Sequence, residues 1–220
     1  MTFAYRHRLA AGFSALLIAT PLFAYVYPLT PGQIRDAYLA GSETGASADG
    51  FFASYGREIP ELQVDGYVSR IRISTPYAEI ARAAQGNVNH DVPAAVSEYF
   101  GKNMKFRVDA LIFYLEPQSG SPDVRISVFQ KGKEIRMEEE KEREPQMPYD
   151  SPPSGYVAGT SAGEEVFLAC EASKISSDPL KIVIDTPAGR PVGYAQLLDA
   201  GSPVATGLHA EITFDLSRLK

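Results

Sequence analysis

The residues with the types and order to do covalent chemistry are Ser161, inside GTSAG at 159–163, followed by Asp185 and His209. GxSxG is the pattern of a nucleophile elbow, and a serine, an acid and a histidine in that chain order would make a serine hydrolase, an esterase or a peptidase. The elbow needs a buried strand before the serine and a helix after it, so that a strained turn presents the hydroxyl. Here only Tyr156 to Ala158 separate GTSAG from DSPPSG, which is a turn composition. Helix propensity in EEVFLACEASK (164–174) is fair and would supply the following helix. Against it, the alternation around His209 places that ring on one face with Glu211, Thr213 and Asp215, a solvated setting. A flexible Gly/Ser turn is the leading reading of GTSAG, and the hydrolase is the alternative.

Arg70 and Arg72 sit two residues apart on one strand face, where paired guanidinium groups would hold a small anionic ligand bidentately. The competing expectation is a set of cross-strand salt links on a wet sheet face, for which Asp109 or Glu116 would serve. No metal site is expected. After residue 24 only His90 and His209 accompany the single Cys170, none at ligand spacing from another, and Asn89 and Asp91 beside His90 suit a turn and a helix cap. Neither GxGxxG nor GxxxxGK[ST] occurs, so no phosphate cradle and no cofactor are expected. Cys170, among Phe167, Leu168 and Ala169, reads as buried and inert.

Arg6 and Arg8 precede an uncharged apolar run from Leu9 to Val26, with Thr20-Pro21 and the small Ala24 near its end. That layout predicts a signal peptide over 1–24, cleaved before Tyr25, and export to the periplasm or the exterior. The alternative is an inner-membrane anchor over 9–26, since eighteen uncharged residues lie within the length that spans a bilayer. A membrane association is expected only if that segment stays uncleaved. Loss of residues 1–24 removes two Arg and no acid, moving the net charge from −6 to −8. An acidic chain of this kind excludes nucleic acid as a natural partner.

The elements that must position these residues divide the chain. Over 25–103 the sequence reads helical with one strand. Thr30, Pro31 and Gln33 form a capping box ahead of a helix that leaves at Gly41. A short helix over Ala48 to Tyr55 buries Phe51, Phe52 and Tyr55, and Gly56 and Pro60 end it. Val64 to Ser74 alternates as a strand, with Tyr67, Ile71 and Ile73 opposite Arg70 and Arg72. Two more helices follow, over 74–85 behind a capping Ser or Thr, and over 89–103 behind Asp91, ending at Gly101.

YPLTPGQIRDAYLAG at 27–41, followed by the arginine strand running into TPY at 75–77, resembles a family of exported bacterial proteins of uncharacterised activity. The resemblance covers about the first half of the chain after residue 24 and implies no site residues.

From Lys105 the period becomes two: Phe106 to Tyr114, then Val124 to Val128 reversing through QKGKE into Ile135 and Met137. Further strands are expected at Val166 to Ala172, Leu180 to Asp185, Val192 to Leu198 and Leu208 to Leu216. The charged, Pro-rich stretch 138–155 reads as a solvated loop. The expected fold is α+β, an antiparallel β-sandwich-like core over 104–220 with short helices in the N-terminal part, 25–103 and 104–220 forming one folded unit. The leading functional reading is an exported, non-enzymatic envelope protein that contacts a protein or cell-wall partner. A serine hydrolase on Ser161 and a periplasmic binder of a small anion are the alternatives.

Overall fold

The computed structural model describes residues 24–42, 46–64, 67–85, 91–114, 124–140, 162–186 and 208–220. The predicted export segment before residue 24, the predicted strand at Val192 to Leu198, the Pro-rich stretch from 141 and Ser161 itself lie outside them.

Helix α1 (Pro31–Ser42) starts as the sequence predicts. The Thr30 amide donates to Gln33 Oε1 at 2.9 Å and the Gln33 amide to Thr30 Oγ1 at 3.3 Å, which satisfies two of the donors a helix start leaves open. Gly41 is not the exit. It lies inside α1 and is needed because a Cβ there would fall 1.7 Å from the Ala81 carbonyl oxygen. Helix α2 (Ala46–Ala53) is followed by an element that sequence reasoning missed, strand β1 (Gly56–Val64). Gly56 and Pro60, expected only to end the helix, lie within β1, an edge strand with a register irregularity between Glu58 and Gln63, where a missing amide donor is tolerated. The predicted strand from Val64 therefore begins later, as β2 (Tyr67–Ser74). Helix α3 (Pro76–Gln85) is capped by Thr75, whose Oγ1 accepts from the Ala78 amide at 3.1 Å. Helix α4 (Val92–Tyr99) is capped by Asp91, which accepts from the Ala94 amide at 3.0 Å.

The remaining strands are β3 (Lys105–Tyr114), β4 (Arg125–Gln130), β5 (Lys133–Ile135), β6 (Glu138–Glu139), β7 (Ala162–Glu171), β8 (Leu180–Thr186) and β9 (Leu208–Phe214). They form two antiparallel sheets, β1-β2-β3-β7-β6 and β5-β4-β8-β9, so the fold is α+β as expected. Between β4 and β5, Lys131 and Gly132 both take positive φ, the turn whose twist suits a two-residue hairpin. The charged run does not begin as a loop: Glu138 and Glu139 pair with Ala169 and Leu168 of β7.

Both sheets face one core. Ile71, Ile73, Phe106, Val108 and Ile112 from the first meet Val128, Ile182, Ile184, Ile212 and Phe214 from the second. Helices α1, α3 and α4 enclose a second cluster built on Ile34, Tyr38, Tyr77 and Ile80. The main cluster also takes Tyr25, Phe52 and Tyr55, so side chains from both halves of the sequence share it.

Candidate functional site

Asp185 and His209 are cross-strand partners on β8 and β9, and His209 Nδ1 lies 2.7 Å from Asp185 Oδ1. The sequence pairing of these two residues is therefore real in space. Its setting differs from that of a catalytic dyad. Both side chains are about half exposed on the outer face of the second sheet, and Arg125 of β4 is the other neighbour of Asp185 in register. The ring nitrogen that would accept a serine proton, Nε2, lies 3.5 Å from Glu211 Oε1. The Asp185 hydrogen bond first, and the two carboxylates together, raise the His209 pKa, which favours a proton on the nitrogen a general base would need bare. Glu211 in turn pairs with Lys181 at 2.8 Å. The residues after Ser161 form strand β7, antiparallel to β3, where an elbow requires a helix. The strand expected from Val166 is therefore present, running over Ala162–Glu171 and ending in one 3-10 turn, Ala172–Lys174, and the helical alternative for 164–174 is not adopted.

Arg70 and Arg72 do share the outer face of the first sheet, opposite the buried Ile71 and Ile73. Register places Glu58 directly beside Arg70, and Asp109 directly beside Arg72. Asp109 is one of the two acids that the sequence nominates. The other, Glu116, lies outside the described residues. This arrangement suits a ladder of alternating charge across the sheet, in which each guanidinium has an acid as neighbour.

A charged brace that sequence reasoning missed lies at one end of this face. Arg107 Nη1 contacts Glu79 Oε2 of α3 at 2.9 Å, and its Nε contacts Glu140 Oε2, just past β6, also at 2.9 Å. Lys105 pairs with the other Glu140 oxygen. Partial burial would raise the Glu140 pKa, but the hydrogen bonds from Lys105 and Arg107 prevail and hold it below the usual value. The signal available in the sequence was Arg107 falling on the wet phase of β3 with Asp109. What remained hidden was that residue 140 returns to that face.

Among the described residues, two concave features are well defined. A groove of about 320 Å³ lies along the sandwich edge, lined in part by Ile126, Val128, Ile135, Met137 and Leu168. A recess of about 290 Å³ lies between α2, α3 and the C-terminal residues, with Phe51, Tyr55 and Tyr77 as its aromatic wall and Gly50, Ser54 and Arg218 at its lip. Phe51 touches both tyrosine rings, at centroid distances of 5.2 and 6.0 Å. The Tyr55 hydroxyl and Thr75 Oγ1 donate to the Lys220 main-chain oxygen at 2.9 and 2.6 Å, and Lys220 Nζ lies 5.5 Å from the Tyr77 ring centre. Burial pushes the Tyr77 phenol up to about 12 and raises that of Tyr55 further, so both stay neutral donors at neutral pH. Sequence reasoning placed Phe51 and Tyr55 in the core but not at the wall of a recess, because the opposite side comes from residues 218–220, far away in the chain.

No family model, no curated protein and no solved structure matches the chain. Cys170 adds no site: it is buried, and burial pushes its thiol up to about 11, away from the reactive thiolate.

Proposed function

We propose that the protein is an exported, non-enzymatic interaction module of the cell envelope, and that a partner, a protein by preference over the cell wall, docks at the recess walled by Phe51, Tyr55 and Tyr77. The recess carries this reading. It is concave, aromatic on its wall and polar at its lip, with Arg218 mostly solvent-exposed beside it, and aromatic residues with Arg are the types that dominate protein contact energies. The compartment follows from Arg6, Arg8 and the apolar run to Val26, and from the resemblance of residues 27–77 to exported proteins. The Asp185–His209 pair and the arginine strand, the features on which the hydrolase and the anion-binding readings depend, fit better as charge ladders on exposed sheet faces.

The test is co-sedimentation of the purified protein with membrane vesicles from the envelope and, separately, with cell-wall sacculi. Saturable binding to the vesicles is expected, weakened at least about tenfold by Ser54→Trp, which fills the recess from its lip without removing a core side chain. Labelling of Ser161 by a fluorophosphonate would instead establish the hydrolase.

A further inference from the structure

Tyr25, the first residue after the predicted cleavage point, is a core side chain. The residue is 4% exposed, and its ring meets Phe106 edge to face with centroids 6.0 Å apart. Its hydroxyl donates to the Ala172 carbonyl at 2.7 Å, and its backbone nitrogen donates to the Leu216 carbonyl at 2.9 Å. One residue thus ties β3, the turn after β7 and the turn after β9 together. The next alternate side chains continue the strap: the Tyr27 hydroxyl accepts from the Met104 amide at 3.0 Å, and Leu29 is buried in the helical cluster. Ala24 is only half-buried and Val26 is exposed, so of these three residues Tyr25 alone is buried.

This placement bears on both fates of the N-terminal segment. An anchor over 9–26 would require Tyr25 in lipid and in the protein core at once. With Tyr25 docked, only the sixteen uncharged residues Leu9 to Ala24 remain for the bilayer, short of the roughly twenty that a spanning helix needs. For cleavage, a peptidase must hold an extended chain across the scissile bond, yet here the nitrogen of that bond is hydrogen-bonded to Leu216 and the side chain just beyond it is buried. Cutting the folded chain would need the strap to open first, and the rate would then follow the population of that open form.

We propose that Ala24–Tyr25 is a fold-gated processing site: the bond is cut while the strap is undocked, and docking of Tyr25 afterwards closes the core and seals the new N-terminus. The hydrolysis adds one water across the amide, leaving the carboxylate on Ala24 of the released segment and the ammonium on Tyr25 of the mature chain, with a membrane-bound leader peptidase as catalyst. The new ammonium keeps the Leu216 carbonyl as acceptor and makes that hydrogen bond charge-assisted. The inference rests on the export reading but makes a separate claim about order.

The full-length precursor decides it, either folded in detergent micelles or diluted from urea directly onto leader peptidase, with the new N-terminus read by sequencing. The unfolded precursor should be cut before Tyr25, and the folded one at least about 100-fold more slowly. Tyr25→Ala should narrow that gap, and Val26→Ala, at an exposed neighbour, should leave it unchanged. Equal rates for folded and unfolded wild-type precursor overturn the gating while leaving export intact. Failure to cut the unfolded precursor at this bond overturns the processing site and the predicted leader together.

Discussion

Gly41 of α1 and Ala81 of α3 approach so closely that a Cβ on residue 41 would fall 1.7 Å from the Ala81 carbonyl oxygen and 2.6 Å from its α-carbon. The neighbour is helix backbone, which has no rotamer to change. This contact sets how near α1 lies to α3, and so how tightly the helical cluster encloses Ile34, Tyr38, Tyr77 and Ile80.

Gly41→Ala is therefore expected to destabilise by at least about 3 kcal/mol, through overpacking against backbone. Helix propensity alone predicts the opposite sign, a gain of roughly 1 kcal/mol. Urea unfolding of the two proteins gives the sign directly. A stabilised variant would mean that α1 stands farther from α3.

That glycine also shows where the sequence stopped being legible. Its place near the end of an apolar helical pattern fits an exit residue equally well, because close approach depends on α3, forty residues on. Local signals were readable wherever the partner was local: the Thr30–Gln33 box, the Asp91 cap and the Lys131–Gly132 turn. The alternation of β3 and β9 was readable because one face is buried and the other is wet. Strand β1 was not, since an edge position and a bulge excuse its proline. For the candidate site, Asp185 and His209 were legible as a pair, and Arg72 with Asp109 as neighbours. The recess was not, because its walls meet only when residues 218–220 return to α2 and α3.

The last strand offers a paired test of inward and outward positions. Phe214 is fully buried, with the Arg57 guanidinium 5.3 Å from its ring centre, while Thr213 is exposed one residue earlier. Phe214→Ala should cost about 3 to 5 kcal/mol and Thr213→Ala under about 1, measured by chemical unfolding. Similar small losses at both positions would contradict the assigned faces.

Glu140 gives an acid-sensitive contribution. Its folded pKa is held below its ordinary value of 4.5, so the stability it adds is present above that value and is lost as the pH falls through the folded value. At neutral pH, Glu140→Gln should cost about 1 to 2 kcal/mol, because Arg107 and the half-exposed Lys105 lose a charged acceptor at a partly buried position. The deficit should shrink toward zero well below pH 4.5. A deficit independent of pH would show that the carboxylate charge is not what Glu140 contributes.

His209 acts in the opposite direction. Its folded pKa is raised above 6.5, so its stabilisation is present below that pH and is lost as the pH rises through the folded value. The difference in melting temperature between wild type and His209→Asn should therefore be largest in mild acid and fade above neutrality. Proton-detected titration of the ring should give a midpoint above 6.5 in the folded protein, falling when Asp185 is replaced by Asn. An unshifted midpoint would remove the charged Asp185–His209 pair from the description.

The most direct measurement of recess binding is photocrosslinking in cells from a benzophenone side chain placed at Ser54, on the lip of the recess, compared with the same side chain at Thr213, on the outer face of β9. An exported module that docks its partner in the recess should give one discrete adduct with an envelope protein from position 54, absent from position 213. Adducts of the same pattern from both positions, or from neither, would contradict docking at Phe51, Tyr55 and Tyr77.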